Sequence, residues 1–137
     1  MPLKNPIFYP ATSEKGIISC QEKIAADVGL DILKLGNAVD AAVTIGFALS
    51  VTFPRAGNIG GGGFMVIRNP DNDIICLDYR EKAPKKSTYD LFQDENGEVV
   101  PDKPSNSFLS IGVPGTVHGL LTALETFGTL NIKQVLK

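Results

Sequence analysis

Four consecutive glycines at positions 60–63, inside the stretch GNIGGGGF, constrain this chain more than any other feature of its sequence. Glycine is used where the backbone takes angles that other residues avoid, or where another group must approach closely. A phosphate-binding Walker loop needs Lys and a hydroxyl residue after its last glycine, whereas Phe64 and Met65 follow this run. A dinucleotide loop follows a strand and opens a helix, and the order predicted for this chain is the reverse. The run therefore indicates close packing of the backbone rather than nucleotide binding. Room for a substrate or for a catalytic chain terminus is a further alternative.

Apolar periodicity, caps and turn residues divide the chain into predicted elements. The first 15 residues contain three prolines and predict an irregular arm. Gly36 and Gly128 stand where helix C-terminal caps belong, and Asn37 stands where an N-cap belongs. The predicted elements are a strand at 16–20, helices at 21–36, 37–51 and 116–127, a hairpin of strands 64–68 and 74–80, and a helix from residue 131 in which the sequence stops.

Two of the predicted segments differ in character from the rest. The helix at 37–51 is apolar on nearly every side, which predicts that it packs between other elements. Residues 81–110 are polar and contain three prolines, which predicts a long loop. Long loops in compact domains are usually functional or mobile.

The composition restricts the classes of function. A net charge of −2 and a pI of about 5.3 give no basic footprint for nucleic acid. The longest apolar run, 38–51, is shorter than the ~20 residues that cross a bilayer, so no membrane span is predicted. Cys20 and Cys76 form no C-x-x-C pair. We expect two buried free thiols, with a single disulfide as the alternative.

Standard catalytic and metal-binding patterns are missing from the sequence. A single histidine, His118, and no Cys/His cluster argue against zinc, and no G-x-S-x-G nucleophile motif is present. His118 follows a predicted helix start and is a candidate general base, although a lone helical histidine is more often structural. The sequence therefore predicts no metal and no cofactor.

The stretch LDYREKAP, residues 77–84, contains the strongest candidate for ligand binding. Asp78 and Arg80 are two residues apart, so on a strand their side chains share a face. Arg80 lies where the predicted strand runs into the long loop, and a guanidinium holds a planar carboxylate through two parallel hydrogen bonds. The alternative is a surface ion pair with Asp78 or Glu81, which would contribute little. The residues by themselves do not separate these two interpretations.

Four motifs in this order and spacing resemble the N-terminal part of the large subunit of γ-glutamyltransferases. They are LGNAVDAAV, GNIGGGGFMVI, LDYREKAP and IGVPGTVHGL, and the resemblance runs from Gly16 to Lys137. It implies an α+β fold that is a fragment of an N-terminal-nucleophile hydrolase, with αββα layers and incomplete by itself. Residues 1–15 would be the arm, and 16–137 would be the N-terminal portion of the large-subunit domain, ending within a helix. The family usually has two glycines before Asn-Ala-Val-Asp, whereas Leu35 and Gly36 stand there in this chain.

The resemblance also implies an activity and its partners. The family transfers or hydrolyses the γ-glutamyl group of glutathione and other γ-glutamyl amides, after a precursor has cut itself into a large and a small subunit. The nucleophilic Thr would begin the small subunit, so this chain would contain no catalytic residue and would be inactive alone. Arg80 matches the family's arginine that binds the α-carboxylate of the γ-glutamyl group. The resemblance also implies a periplasmic or secreted location, although no signal peptide is recognisable in this sequence.

Two alternatives remain at the level of the sequence. The first is a related acylase of the same superfamily, acting on another acyl amide or on poly-γ-glutamate. The second is a truncated chain without activity. For the chain by itself we expect uncovered sheet edges and an uncovered apolar helix, and therefore self-association.

Overall fold

The computed structural model describes residues 9–137, and its regular elements are mostly those that the sequence predicts. Residues 1–8 of the predicted arm lie outside the described part, and residues 9–15 contain no helix or strand. The elements are α1 (Lys23–Leu33), α2 (Ala38–Thr52), β1 (Phe64–Arg68), β2 (Ile74–Asp78), α3 (Lys103–Asn106), α4 (Thr116–Phe127) and α5 (Ile132–Val135).

The start of α2 confirms the predicted N-cap. The side chain of Asn37 accepts hydrogen bonds from the backbone N–H groups of Val39 and Asp40, at 2.8 and 3.1 Å. Asp40 in turn accepts from the backbone N–H of Asn37 at 2.7 Å, which completes a capping box. The local sequence Asn-Ala-Val-Asp is therefore sufficient to define where this helix begins.

The predicted C-cap role of Gly36 is wrong, because α1 ends earlier and its C-cap is Lys34. Gly36 has another use. A Cβ at this position would collide with the carboxylate of Asp40 and would lie 2.9 Å from a side-chain carbon of Leu130. Glycine is present at this position so that the chain can pass close to the capping box of α2. The predicted C-cap of α4, Gly128, is confirmed.

β1 and β2 form the predicted antiparallel hairpin, with Phe64 opposite Asp78 and Arg68 opposite Ile74. The second strand ends at Asp78, two residues before the predicted end. Beyond it, Tyr79 still donates to the carbonyl of Gly63, and Lys82 then pairs with Val113. The predicted strand at 16–20 does not form. A strand needs a partner, and in the described part of the chain the only sheet is the two-stranded one of β1 and β2.

The core lies where α2, α4 and one face of the hairpin meet. Its buried apolar side chains are Val39, Val43, Ile67, Leu120, Ala123, Leu124 and Val135. The prediction that the whole of α2 is enclosed is wrong for its second half, since Val51 at its end is 82% exposed. The buried residues of α2 all lie in its N-terminal half, although Gly46 in the second half still lies against Leu120 of α4.

Residues 81–110 form an irregular segment, as the sequence predicts. Its regular structure is limited to α3, a 3-10 turn at Phe108–Ser110, and isolated bridges from Gln93 to Val99 and from Lys82 to Val113.

Cys20 and Cys76 are free thiols, as predicted, but Cys20 is half-buried and Cys76 is exposed. The prediction of burial fails for Cys76 because it points to the uncovered face of the hairpin. Over residues 9–137 no helix has both the length and the apolar character that a membrane crossing requires.

Candidate functional site

The glycine run packs against the three residues that follow β2. None of the glycines at 60–63 has a positive φ, so unusual backbone angles do not explain them. A Cβ on Gly62 would lie 2.7 Å from both the amide nitrogen of Glu81 and the carbonyl oxygen of Tyr79, and 2.8 Å from the Cα of Arg80. These distances are too short for any side chain. The run therefore lets two backbone segments touch, as the sequence indicates.

The same glycine run also anchors the start of α4. The carbonyl oxygen of Gly61 accepts hydrogen bonds from the backbone N–H groups of Gly115 and Thr116, at 2.8 and 3.0 Å. These are amides of the first turn of α4, which have no partner inside the helix. The glycine run thus supplies a hydrogen-bond acceptor to the N-terminus of α4 and holds the start of this helix in place.

Tyr79 is held between the glycine run and α4. A Cβ on Gly63 would lie 2.8 Å from the ring of Tyr79, and one on Gly119 would collide with the same ring from the helix side. A Cβ on Gly115 would collide with the carbonyl oxygen of Tyr79. Burial raises the pKa of the Tyr79 hydroxyl above its ordinary value of 10.0. Glycines from two separate motifs therefore enclose one tyrosine and its backbone.

Arg80 follows Tyr79, and its side chain is exposed. Its backbone N–H donates to the Asp78 carboxylate at 3.0 Å. Within residues 9–137 the ion pairs are those of Lys23 with Asp27 and of Lys34 with Asp31, so the guanidinium of Arg80 has no carboxylate partner there. The alternative interpretation of Arg80 as half of a surface ion pair is not what the structure contains.

A small cavity of about 200 Å³ lies beside this arrangement. The residues that line it include Gly61, Gly62, Tyr79, Glu81 and Thr116. Arg80 itself does not line this cavity, whereas its neighbours Tyr79 and Glu81 do. The arrangement therefore offers an exposed guanidinium on a closely packed backbone. Such a group can bind an anionic ligand, and a carboxylate is the best geometric match.

His118 lies apart from this chemistry. It is exposed on the first turns of α4, and its carbonyl oxygen accepts from the Thr122 hydroxyl at 2.8 Å. In the part of the chain that the structure covers, no group of three or more His, Cys, Asp or Glu side chains could hold a metal ion. Among residues 9–137, no hydrogen bond or ion pair joins His118 to Arg80.

Sequence reasoning did not single out Tyr79, Gly115 and Gly119. All three lie inside the motifs that carry the resemblance, LDYREKAP and IGVPGTVHGL. The sequence patterns that could have pointed to them are a tyrosine beside the candidate arginine and a Gly-x-x-x-Gly spacing at a helix start. Neither pattern indicates a contact until the segments LDYREKAP and IGVPGTVHGL are known to touch.

The architecture defines the class of protein. The predicted α+β fold, part of an N-terminal-nucleophile hydrolase, is confirmed by the structure of Helicobacter pylori gamma-glutamyltranspeptidase. That structure superposes with a TM-score of 0.87 and 43% sequence identity, over 93% of this chain and 37% of that one. The sequence model of the gamma-glutamyltranspeptidase family matches residues 25–137. This chain belongs to the gamma-glutamyltranspeptidase family.

Two curated relatives illustrate the range of the match. The glutathione hydrolase proenzyme of Escherichia coli is 44% identical over 98% of this chain and 23% of its own length. The Acylase ACY 1 proenzyme of a Pseudomonas species is 36% identical over 93% of this chain and 24% of its own length. The chain thus spans about a quarter of the length of these relatives.

Proposed function

We propose that the protein containing this chain transfers or hydrolyses the γ-glutamyl group of glutathione and other γ-glutamyl amides. The observation that carries the proposal is the exposed guanidinium of Arg80, without a carboxylate partner in residues 9–137, in a chain of the gamma-glutamyltranspeptidase family. In this role Arg80 binds the α-carboxylate of the γ-glutamyl group through two parallel hydrogen bonds. Its packed backbone supports this role, because a fixed base reduces the entropy lost on binding.

The chemical step belongs to a threonine outside these 137 residues. Its hydroxyl attacks the γ-amide carbonyl while its own α-amine takes the proton, and backbone amides stabilise the oxyanion. The α-amine then passes this proton to the nitrogen of the substrate's amide, which leaves as a free amine. A γ-glutamyl ester remains on the threonine. Water or an amino-acid or peptide amine then accepts the γ-glutamyl group. Arg80 takes no part in the bond changes and holds the substrate in position.

The partners follow from this proposal. The substrate is a γ-glutamyl compound such as glutathione, and the threonine is contributed by a small subunit cut from the same precursor. Residues 1–137 alone are then inactive, since they contain the carboxylate-binding arginine but not the nucleophile. The domain assignment, with an arm at 1–15 and a portion of the large subunit at 16–137, is part of the same proposal.

A second candidate is an acylase of the same superfamily. The similarity to the Pseudomonas acylase proenzyme favours it, although at a lower identity than the glutathione hydrolase of Escherichia coli. A glutaryl amide keeps the carboxylate that Arg80 would bind but lacks the α-amine of a γ-glutamyl amide. Both candidates would use Arg80, so a variant at this residue does not distinguish them. The preference between a γ-glutamyl amide and a glutaryl amide does.

The test uses the protein expressed from the whole reading frame that contains this chain. Its subunits are separated on a denaturing gel, the N-terminal residue of each is read, and hydrolysis of γ-glutamyl and glutaryl anilides is compared. Two bands, the smaller beginning with Thr, and a preference for the γ-glutamyl anilide are the expected results. A preference for the glutaryl anilide would favour the acylase. A single unprocessed band without activity would overturn both proposals.

A further inference from the structure

We infer that Tyr79 is a positioning residue for Arg80, held between the glycine run and α4 so that the guanidinium points at the substrate. This inference rests on the function proposed above for Arg80. The two residues are adjacent, so any rotation of the backbone at Tyr79 changes the direction of the Arg80 side chain. The contacts around Tyr79 decide whether such a rotation is possible.

The first set of contacts fixes the ring. Gly63 lies against one part of it and Gly119 of α4 against another, both so close that a Cβ at either position would overlap it or nearly touch it. An aromatic side chain has only two rotatable bonds, so enclosing its ring leaves its Cα little freedom. The ring thereby ties the end of β2 to α4.

The second set of contacts fixes the backbone. The N–H of Tyr79 donates to the carbonyl of Gly63 at 3.0 Å, and Gly62 and Gly115 contact the peptide groups on either side of Arg80. Beyond Arg80, Lys82 exchanges two hydrogen bonds with Val113, at 3.2 and 2.7 Å. The backbone of Arg80 is therefore fixed on both sides, while its guanidinium has no carboxylate partner among residues 9–137.

This arrangement predicts which part of the tyrosine matters. No hydrogen bond to the Tyr79 hydroxyl is present among the described residues, and the contacts at Gly119 involve the Cβ and ring carbons. The ring rather than the hydroxyl should therefore position Arg80. Tyr79→Phe is the conservative variant that keeps the ring, and Tyr79→Leu removes it while keeping an apolar side chain.

The experiment is a double-mutant cycle in the full-length enzyme, with kcat and KM for a γ-glutamyl anilide and the melting temperature measured for each variant. Tyr79→Phe should leave KM within about twofold of the wild type, and Tyr79→Leu should raise KM about tenfold with kcat within about threefold. Combined with Arg80→Lys, Tyr79→Leu should raise KM further by less than about twofold, because the group that it positions has already been changed.

One control variant and one replacement variant keep the outcomes separate. Val43→Ala, a core truncation in α2, should lower the melting temperature without changing KM, which excludes destabilisation as the cause. If Tyr79→Leu does not fold, Tyr79→Met replaces it, since its flexible apolar side chain also removes the ring but fills more of its space. An unchanged KM in Arg80→Lys alone would overturn the proposed function. If Tyr79→Leu or Tyr79→Met raises KM by the same factor with and without Arg80→Lys, or does not raise it, the positioning role alone is overturned.

Discussion

The carboxylate of Asp40 accepts hydrogen bonds from both the backbone N–H and the hydroxyl of Thr129, at 3.0 and 2.7 Å, across 89 positions of the sequence. Asp40 is 0% exposed, and it also accepts from the backbone N–H groups of Asn37 and Leu130. A buried charge is tolerated only when hydrogen bonds satisfy it, and here four donor groups do so. The first turn of α2 is thereby joined to the turn between α4 and α5.

The stability of this connection can be tested by Asp40→Asn. The new amide group would replace an acceptor oxygen and face backbone N–H donors, so we expect a loss of about 1–3 kcal/mol in the free energy of unfolding. Chemical denaturation of the full-length protein measures it. Asp31→Asn is the matched control, because Asp31 is an exposed partner of Lys34 and should change stability by less than about 0.5 kcal/mol. Equal effects of the two variants would contradict the role given to Asp40.

The contribution of Asp40 should depend on pH. Burial alone raises its pKa, but the hydrogen bonds from Asn37, Thr129 and Leu130 together outweigh burial and hold the pKa below its ordinary value of 3.8. The stabilisation is therefore fully present above the unfolded-state pKa and is lost as the pH falls through the folded-state pKa. The stability difference between the wild type and Asp40→Asn should be constant from about pH 5 to 8 and should shrink below about pH 4. A stability difference between the two proteins that increases as the pH falls would contradict a lowered pKa of Asp40.

Substrate binding should depend on the shape of the side chain at position 80. Arg80→Lys keeps the charge but loses the second parallel hydrogen bond, so KM for γ-glutamyl substrates should rise by about 10- to 1,000-fold. Arg68→Lys, the same change at the opposite end of the hairpin, is the control and should leave KM unchanged. Unaltered kinetics in Arg80→Lys would remove Arg80 from the binding site.

The four glycines should differ sharply in their tolerance of a methyl group. Gly62→Ala places a Cβ 2.7 Å from backbone atoms of Tyr79 and Glu81, and we expect a loss of about 1–3 kcal/mol of stability. Gly60→Ala meets only the side-chain oxygen of Asn58, at 3.4 Å, and should be neutral or stabilising by up to about 1 kcal/mol. The denaturant midpoints of the two variants measure this difference in stability. Equal costs would argue against close packing as the reason for the run.

Residues 1–137 expressed alone should self-associate through the uncovered face of the hairpin. Phe64, Val66 and Ile74 are 63%, 69% and 68% exposed on neighbouring positions of the sheet, which has two strands within residues 9–137. Changing all three to Thr should reduce association, measured by sedimentation velocity. Changing Tyr89 and Phe108, which are exposed in the irregular segment instead, should not. A wild-type chain that is a monodisperse, cooperatively melting monomer would contradict this prediction.

The local elements of this chain were predictable because their causes are local. Asn37 and Asp40 form a capping box within one helical turn, so the start of α2 is visible in four consecutive residues. The hairpin of β1 and β2 follows from two β-rich runs and a five-residue turn, and α4 follows from its apolar spacing and Gly128. The motifs that contain these elements also sufficed to identify the family and to select Arg80 as the candidate ligand-binding residue.

Which segments the glycines allow to approach each other was decided by the tertiary structure alone. Gly36 has the sequence context of a helix cap, yet it is needed because Asp40 and Leu130 approach it. Tyr79 could not be recognised as a central residue, since the glycines that enclose it come from segments about 16 and 40 positions away on either side. Likewise, residues 16–20 have the composition of a strand but no partner among the described residues. A sequence determines helix ends and turns through neighbouring residues, whereas close approach and strand pairing depend on which distant segments meet.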